Sequence, residues 1–137
     1  MELLRAHGID PAGRRVTVVG RSRVSGRPAA LLLTRADATV TLCHRNTPDL
    51  AARCREADLL LAAAGAPGLI TRDCVRPGQI VLDAGATALP DGTLRGDMAP
   101  DAAAIAVCTP VPGGIGSVTT ALLLRHTVQA AENLRHF

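Results

Sequence analysis

The sequence predicts an α/β protein in which a doubly wound parallel sheet carries helices on both faces. Five short apolar runs alternate with segments of helical pattern, and the runs are nearly continuous rather than alternately polar and apolar. Such runs are typical of strands that are buried on both faces. A turn containing glycine, proline or aspartate follows most of them. The 137 residues suffice for one domain with a sizeable core, so we predict a single domain over residues 1–137.

The predicted strands consist of aliphatic and β-branched residues and end where a turn residue interrupts the run. The first is the β-branched run before Gly20, and the fourth stops at Asp83. In chain order, the predicted strands are residues 15–19, 38–43, 58–63, 80–82 and 104–107.

The predicted helices begin at residues that suit a helix N-terminus. Pro28 fits the first turn of the first helix. Thr47 is predicted to cap the second helix, with Pro48 and Asp49 in its first turn, and Ser117 is predicted to cap the last. The predicted helices are residues 29–35, residues 48–56, a short stretch at residues 71–75, and residue 117 to about the end of the chain.

Right-handed crossovers in such a sheet bring every strand-to-helix loop to one edge. Ligands of doubly wound sheets bind along that edge. The loops expected there are residues 20–26, 44–47, 65–68, 85–87 and 110–116.

The first of these loops runs Gly-Arg-Ser-Arg-Val-Ser-Gly, from Gly20 to Gly26. Glycines at such positions let a backbone approach a pyrophosphate, and the following helix supplies amide donors and the positive end of its dipole. The spacing favours a Rossmann-type dinucleotide site, although it departs from the G-x-G-x-x-G pattern. An ordinary strand-to-helix turn would contain the same residues, and the loop alone does not separate the two interpretations.

The end of the second predicted strand indicates which dinucleotide fits. Proteins that bind NAD carry Asp or Glu about 20 residues after the glycine loop, where it holds the ribose 2′-hydroxyl. Here residues 43–47 contain no acid. Arg21 and Arg45 instead suit a 2′-phosphate, because a guanidinium group binds phosphate through two parallel hydrogen bonds. We therefore predict NADP rather than NAD, with a merely solvated Arg45 as the simpler alternative.

Composition argues against several other functions. No apolar run approaches the roughly 18 residues of a membrane helix, and the N-terminus lacks a signal-peptide pattern, so we expect a cytoplasmic protein without a membrane partner. The net charge is +3, but the arginines are dispersed and Phe137 is the only aromatic residue, which argues against nucleic acid. The four cysteines have no metal-ligand spacing. We expect no metal and predict that most cysteines are core residues.

Three runs together resemble one enzyme family. Residues 18–28 are similar to its signature V-I-G-R-S-x-x-V-G-K-P, residues 38–44 resemble A-T-V-T-x-C-H, and residues 109–116 resemble T-P-V-P-G-G-V-G. The family is the bifunctional methylenetetrahydrofolate dehydrogenase/methenyltetrahydrofolate cyclohydrolase, FolD. The similarity extends from Met1 to about Glu132 and covers the C-terminal NADP-binding domain of the family.

The resemblance implies a role for each matching position. Arg21 matches the residue at the 2′-phosphate, Ala86 a position that meets the cofactor, and Thr119 a position near the nicotinamide. The spacing alone leaves two interpretations of the second glycine-rich loop, residues 110–116: it approaches a ligand, or it simply turns the chain. The implied cofactor-binding residues are Gly20, Arg21, Ser22, His44, Arg45, Thr47, Gly65, Gly85, Ala86 and Thr119, and the residues implied beside the folate are Pro112, Gly113 and Gly114.

Three segments depart from the family pattern. Arg45 replaces a phosphate-binding serine, Ala86 and Thr87 replace Ile-Asn, and Ser117 and Val118 replace Pro-Met. The last two changes put the geometry on the nicotinamide side in question, whereas the NADP preference is unaffected.

The resemblance also implies an activity that this chain does not complete alone. Family enzymes begin with a folate-binding domain that carries a catalytic lysine and tyrosine. This chain has neither, since all 15 basic residues are arginine and tyrosine is absent. We expect that the folate-binding domain is absent, that the chain holds no catalytic residue, and that it is inactive in isolation. The chain is then either a fragment of such an enzyme or the product of a gene for this half. The alternatives are a free-standing NADP-binding or regulatory module and, third, a dimerisation domain.

The last predicted helix has more apolar surface than packing on one sheet face requires. The family is also similar in forming dimers through this domain. We expect a homodimer or larger oligomer, with Leu3 and Leu4 uncovered and residues beyond about Val128 either packed on another chain or mobile. The apolar residues at helical spacing are Ala121, Leu124, Val128, Ala131 and Leu134, with Leu123, Thr127 and Ala130 alongside.

Overall fold

A five-stranded parallel sheet and a separate two-stranded hairpin make up the strands of the computed structural model, which describes residues 1–134. The strands are β1 (Arg15–Val19), β2 (Thr39–Cys43), β3 (Leu59–Ala62), β4 (Ile80–Asp83), β5 (Thr87–Ala88), β6 (Leu94–Arg95) and β7 (Val107–Cys108). The helices are α1 (Glu2–Ala6), α2 (Gly26–Thr34), α3 (Leu50–Glu56), α4 (Pro100–Ala103) and α5 (Ile115–Leu134), with a 3-10 turn at Arg72–Cys74.

The strand order of the main sheet is β2-β1-β3-β4-β7, and every pairing in it is parallel. Val18 of β1 lies opposite Leu42 of β2 on one side and Leu61 of β3 on the other. The chain goes outward from β1 to β2 and then returns across β1 to β3. The order therefore reverses beside β1, and the carboxyl ends of β1 and β3 flank the crevice where doubly wound sheets bind ligands. The predicted α/β fold class is confirmed.

Both faces of the sheet are covered, which explains the continuous apolar strands. Leu60 and Ala62 of β3 belong to a cluster that includes Cys54 of α3. Leu59 and Leu61 point the other way and pack with a second cluster that includes helices α1 and α2. All four β3 residues are buried, because successive side chains of a strand face opposite layers.

The position of the last strand of the sheet was predicted wrongly. Residues 104–107 were expected to be extended, but β7 begins only at Val107. Pro100 opens α4, and the amide of Ala104 donates to the Pro100 carbonyl at 3.1 Å, as the amide of Ala106 does to Ala102. The alanine-rich run is therefore a helical turn, since proline suits a first turn and alanine favours helix over strand.

Two of the predicted helix caps are also wrong. The Thr47 hydroxyl oxygen accepts the amide hydrogen of His44 at 2.8 Å, and α3 begins after Asp49, which adopts a left-handed conformation. Ser117 lies inside α5, which begins at Ile115. Thr47 closes its own turn because a hydroxyl oxygen can bond to a nearby amide in place of a helix N-terminus.

Helix α1 and the β5–β6 hairpin were not predicted. The two-residue strands of the hairpin are too short for a periodic pattern. Helix α1 places Leu4 in the second core cluster at 2% exposure, while Leu3 is half-buried. The expectation that both leucines are uncovered is therefore wrong, since α1 folds back onto the sheet.

Helix α5 contacts the rest of the chain between Ile115 and Arg125. Ile115, Val118 and Leu122 are half-buried, and Arg125 pairs with Glu2 at 3.4 Å. The predicted apolar stripe on this helix is exposed throughout its length. Its largest exposed apolar side chains, all more than half exposed, are Leu123, Leu124, Val128 and Leu134. Phe137 and the two residues before it lie outside the described part of the chain.

At the edge of the sheet opposite the crevice, an ion pair between Arg15 and Asp58 links two segments of the chain. The Arg15 guanidinium donates to Asp58 Oδ1 at 2.8 Å, and the Arg15 amide donates to Oδ2 at 2.9 Å. These hydrogen bonds lower the pKa of Asp58 to about 2. The pair joins β1 to the segment before β3, far from the loops at the carboxyl edge.

Three of the four cysteines are core residues, as predicted. Cys43, Cys54 and Cys74 are buried free thiols, and Cys108 is half-buried. Burial raises the pKa of Cys54 to about 12, so this thiol stays protonated and acts as a small apolar side chain. Within residues 1–134, no helix is long and apolar enough to span a membrane, and no group of three metal-ligating side chains is found.

Candidate functional site

The carboxyl edge of the sheet holds a cleft of about 440 Å³ between the loops that follow β1, β2 and β3. The strand order dictates this meeting, because β1 lies between β2 and β3. Of the residues predicted for the cofactor, five line the cleft together. The lining residues are Val19, Gly20, Arg21, His44, Arg45, Thr47, Leu50, Ala64, Ala66 and Leu69.

Gly20 lets the loops after β1 and β3 pack backbone against backbone. Its φ is +117°, and a Cβ built on it would lie 2.1 Å from the carbonyl oxygen of Ala63. Its amide donates to the Cys43 carbonyl at 2.9 Å, which ties the loop to β2 as well. The next glycine of the motif, Gly26, has no room for a Cβ either, because the Gly20 carbonyl oxygen would be 2.0 Å away. Only glycine satisfies both contacts.

Ser22 shapes the turn that leads into α2. Its Oγ lies 2.7 Å from the Ser25 Oγ and accepts the Ser25 amide hydrogen at 3.1 Å. The side chain is exposed and does not line the cleft. Ser22 is therefore a turn residue at the N-terminus of the helix, where amides and the helix dipole favour an anion.

The segment after β2 is a compact turn that presents Arg45 to solvent. The His44 amide donates to Thr47 Oγ1, and the Asn46 amide donates to His44 Nδ1 at 3.2 Å. In neutral imidazole this places the ring hydrogen on Nε2, which remains free to donate. Arg45 and Arg21 are both exposed, and neither forms an ion pair with any acid in residues 1–134. The cleft thus presents two cations without a counter-charge.

The remaining predicted residues lie outside this cleft. Thr119 lines an apolar cavity of about 300 Å³ among α1, α2 and α5, and its hydroxyl donates to the Ile115 carbonyl. Gly113 and Gly114 line a third cavity, of about 260 Å³, beside β7. Gly65, Gly85, Ala86 and Pro112 line none of the three; Gly85 is buried and the others are exposed.

Two buried aspartates, which match the family pattern but to which sequence reasoning assigned no role, organise the loops. Asp97 is fully buried and accepts hydrogen bonds from the amides of three consecutive residues, 64–66, at 2.5 to 3.1 Å. Asp83 is 4% exposed and accepts from Gly85, Asp97 and Met98 at 2.9 to 3.0 Å. Asp83 was signalled by its place directly after the apolar run of β4. Asp97 follows a two-residue strand, and its sequence signal was the match of Gly96 and Asp97 to the family pattern.

The comparisons with known proteins agree with this geometry. Residues 1–135 match the family described as tetrahydrofolate dehydrogenase/cyclohydrolase, NAD(P)-binding domain. The chain belongs to this family. The resemblance seen in the sequence motifs is confirmed, and so is the class of cofactor, a nicotinamide dinucleotide.

Named relatives are bifunctional FolD proteins about twice as long as the chain. FolD 1 of Rhodococcus jostii is 59% identical over 133 residues, which cover 94% of this chain and 44% of that protein. FolD of Chloroflexus aurantiacus is 55% identical over 134 residues, 95% of this chain and 46% of that protein. The chain spans about half the length of the curated relatives it matches.

Solved FolD structures show the same fold. The enzyme of Campylobacter jejuni superposes with a TM-score of 0.91 at 42% identity and covers 97% of this chain and 48% of its own. A Trypanosoma brucei FolD was solved in complex with NADP cofactor and inhibitor. It superposes with a TM-score of 0.84 at 43% identity, and the match covers 93% of this chain and 46% of that one.

The residues of the cleft fit the group that a FolD NAD(P)-binding domain holds. The loop at Gly20 packs backbone against backbone on the loop after β3, and Gly20 adds no side chain to the cleft that it lines. Arg21, Arg45 and the Nε2–H of His44 are donors without acid partners in the described chain. No carboxylate lines the cleft. This set of donors suits a phosphate group, and no negative charge among the lining residues opposes its binding.

Proposed function

We propose that the chain binds NADP in the cleft and serves as the NADP-binding half of a methylenetetrahydrofolate dehydrogenase (NADP+)/methenyltetrahydrofolate cyclohydrolase of one-carbon folate metabolism. One observation carries the proposal: Arg21 and Arg45 face one cleft at the reversal of strand order, with no carboxylate among its lining residues. A ribose 2′-hydroxyl would require an acid there, whereas a 2′-phosphate requires cations.

Each predicted cofactor-binding residue in or near the cleft has a part in this proposal. Gly20 and Ser22 accommodate the pyrophosphate at the start of α2, and Gly65 lies on the loop facing them. Arg21 and Arg45 hold the 2′-phosphate, and the remaining donors of the β2 turn, His44 and Thr47, orient the adenosine end.

Toward the other end of the cofactor, Gly85, Ala86 and Thr119 are proposed to lie near the nicotinamide. When bound there, NADP supplies a ring that accepts a hydride, and the protein supplies orientation. Pro112, Gly113 and Gly114 are proposed to lie beside the folate.

The chemistry on the folate is proposed to depend on the part of the FolD proteins that this chain does not match. We therefore propose a folate, bound together with that missing part, as the small-molecule partner of the chain. We propose no nucleic acid or membrane partner. The free thiols agree with a cytoplasmic location, since disulfides are rare there. Relatives named as bifunctional enzymes favour this function over a free-standing regulatory module.

The proposal is tested by calorimetry with NADP and NAD on the 137-residue chain. We expect NADP to bind at least about tenfold more tightly, a difference of ~1.4 kcal/mol. Arg21→Ala and Arg45→Ala should each reduce the preference, because each removes a cation that pairs with the 2′-phosphate. Arg23→Ala is the matched control, since Arg23 is an exposed arginine of the same loop that does not line the cleft. Equal affinities for NADP and NAD, or a preference unaffected by Arg21→Ala, would show that the cleft does not recognise the 2′-phosphate in the proposed way.

We further propose that the chain forms a homodimer in which the exposed side of α5 is covered. Leu123, Leu124 and Val128 are each more than half exposed, and a contiguous apolar surface of this kind favours association. Light scattering at micromolar concentration should give twice the mass of the chain. The double variant Leu124→Gln, Val128→Gln should shift the mass toward the monomer, whereas Leu31→Gln, on the exposed side of α2, should not. A monomeric parent chain would rule this arrangement out.

A further inference from the structure

The loop after β3 owes its shape to a carboxylate from a distant part of the chain. We propose that Asp97 is a positioning residue for the dinucleotide, which holds residues 64–66 in the form that makes one wall of the cleft. The inference rests on the proposed function, because it assigns to Asp97 a part in binding NADP without a contact to it.

The hydrogen bonds that the Asp97 carboxylate accepts all come from this loop. Its Oδ2 accepts the amide hydrogens of Ala64 at 2.5 Å and Gly65 at 3.1 Å, and its Oδ1 accepts that of Ala66 at 2.7 Å. Three successive amides that converge in this way form a concave anion site, and here the anion is the protein's own buried side chain. Ala64 and Ala66 line the cleft. The protein's own hydrogen bonds therefore hold this wall of the cleft.

The backbone of Asp97 is itself held in place by hydrogen bonds to Asp83 and Ile70. Asp83 Oδ1 accepts the Asp97 amide hydrogen at 3.0 Å and the Gly85 amide hydrogen at 2.9 Å. The backbone of Asp97 also accepts from the Ile70 amide at 2.9 Å. These bonds fix where the Asp97 side chain begins, so that its oxygens reach the loop.

Two glycines make room for this arrangement. A Cβ on Gly85 would lie 2.5 Å from Asp97 Cγ, and a Cβ on Gly96 would lie 2.1 Å from Asp83 Oδ2. The two carboxylates therefore lie directly against backbone, and together they connect the loop after β3 to the loop after β4. Both loops carry residues proposed for the cofactor, namely Gly65 and Gly85.

Preorganisation is the physical reason to expect an effect on affinity. A loop that must be ordered when the ligand binds weakens binding by the cost of ordering it, and a loop that is already ordered does not. In Asp97→Asn the side chain keeps its size, but one of its acceptor oxygens becomes an NH₂ group that faces amide hydrogens. At least one loop amide then loses its partner, and the wall loosens.

The experiment compares the dissociation constants of parent and Asp97→Asn chains by calorimetry. We expect Asp97→Asn to weaken NADP binding by about tenfold, with the number of sites unchanged. The same loss is expected for 2′-phospho-ADP-ribose, which lacks nicotinamide, because the loop borders the arginine end of the cleft. Asp58→Asn is the control: it breaks the pair with Arg15 at the opposite edge, so it should lower stability and leave the affinity unchanged. Unchanged affinity in folded Asp97→Asn, or a loss confined to intact NADP, overturns the inference.

A measurement on the parent chain decides the matter if Asp97→Asn does not fold. Without NADP, the amides of residues 64–66 should exchange with solvent hydrogen at least about a hundredfold more slowly than in an unfolded chain. Fast exchange that becomes slow only with NADP would show that the ligand, not Asp97, orders the loop. A parent chain that binds no NADP overturns the proposed function, whereas normal parent binding with unaffected Asp97→Asn overturns this inference alone.

Discussion

Substitution of Gly20 by alanine is expected to reduce the free energy of unfolding by about 4 kcal/mol. Two costs add: a side chain in the left-handed region at φ +117°, and a Cβ placed 2.1 Å from the Ala63 carbonyl oxygen, each costing roughly 1–3 kcal/mol. For a chain of this length the loss corresponds to about 15 °C in melting temperature. Urea denaturation and a thermal melt of the purified variant measure it.

Two matched controls separate the strain from the clash. Gly13 has φ +70° and nothing within 4 Å of the Cβ position, so Gly13→Ala carries the strain alone. Gly26 opens helix α2 with a φ outside the left-handed range, and its Cβ would lie 2.0 Å from the Gly20 carbonyl oxygen, so Gly26→Ala carries the clash alone. Each control should lose less stability than Gly20→Ala. If Gly13→Ala and Gly20→Ala lose the same amount, the backbone contact between the loops contributes nothing, and our account of Gly20 is wrong.

The same glycine shows how much of the fold was available from sequence. The run before it predicted β1 with its observed bounds, Arg15–Val19, because a β-branched run that ends in glycine has few other interpretations. The alanines before β7 were misassigned, since an apolar run of four residues fits a strand or one helical turn equally well. Helix α1 was missed because its five residues are too few for a period of 3.6 to be seen.

The site was predictable where it depends on loops next to strands. Gly20, Arg21, His44 and Arg45 were placed at one edge by the alternation of strands and helices, and they line one cleft. The part of Asp97 could not be inferred in this way. Its partners are 31 to 33 residues away in sequence, and their bonds depend on how a short irregular segment crosses the loop after β3. Motif spacing carries no information about such a contact.

The second large effect concerns catalysis. The 137-residue chain alone is expected to show no oxidation of methylenetetrahydrofolate and no hydrolysis of the methenyl form, even with NADP present. Proton transfer by a positioned side chain typically contributes a factor of about 10² to 10⁴ to such reactions. The chain has no lysine and no tyrosine, and arginine does not release its proton at neutral pH.

The titratable groups at the carboxyl edge of the sheet do not replace the missing lysine and tyrosine as groups for proton transfer. Asp83 and Asp97 are buried, and their oxygens are occupied by backbone amides, so neither reaches a substrate. His44 lies in the cleft with the arginines, at the end proposed for the 2′-phosphate rather than for the nicotinamide. We therefore expect this chain to orient a cofactor without moving a proton at the reacting centre.

The assay follows NADPH formation and loss of the methenyl compound with chain whose NADP binding has first been verified by calorimetry, so that an inactive sample is known to be folded. A full-length FolD protein assayed under the same conditions is the positive control. Addition of a separately produced folate-binding half of such a protein tests whether the missing groups alone restore turnover. Activity of the chain alone that persists through successive purification steps and disappears in Arg21→Ala would contradict the prediction. It would mean that proton transfer occurs through water or through His44, and that the folate is bound by this half.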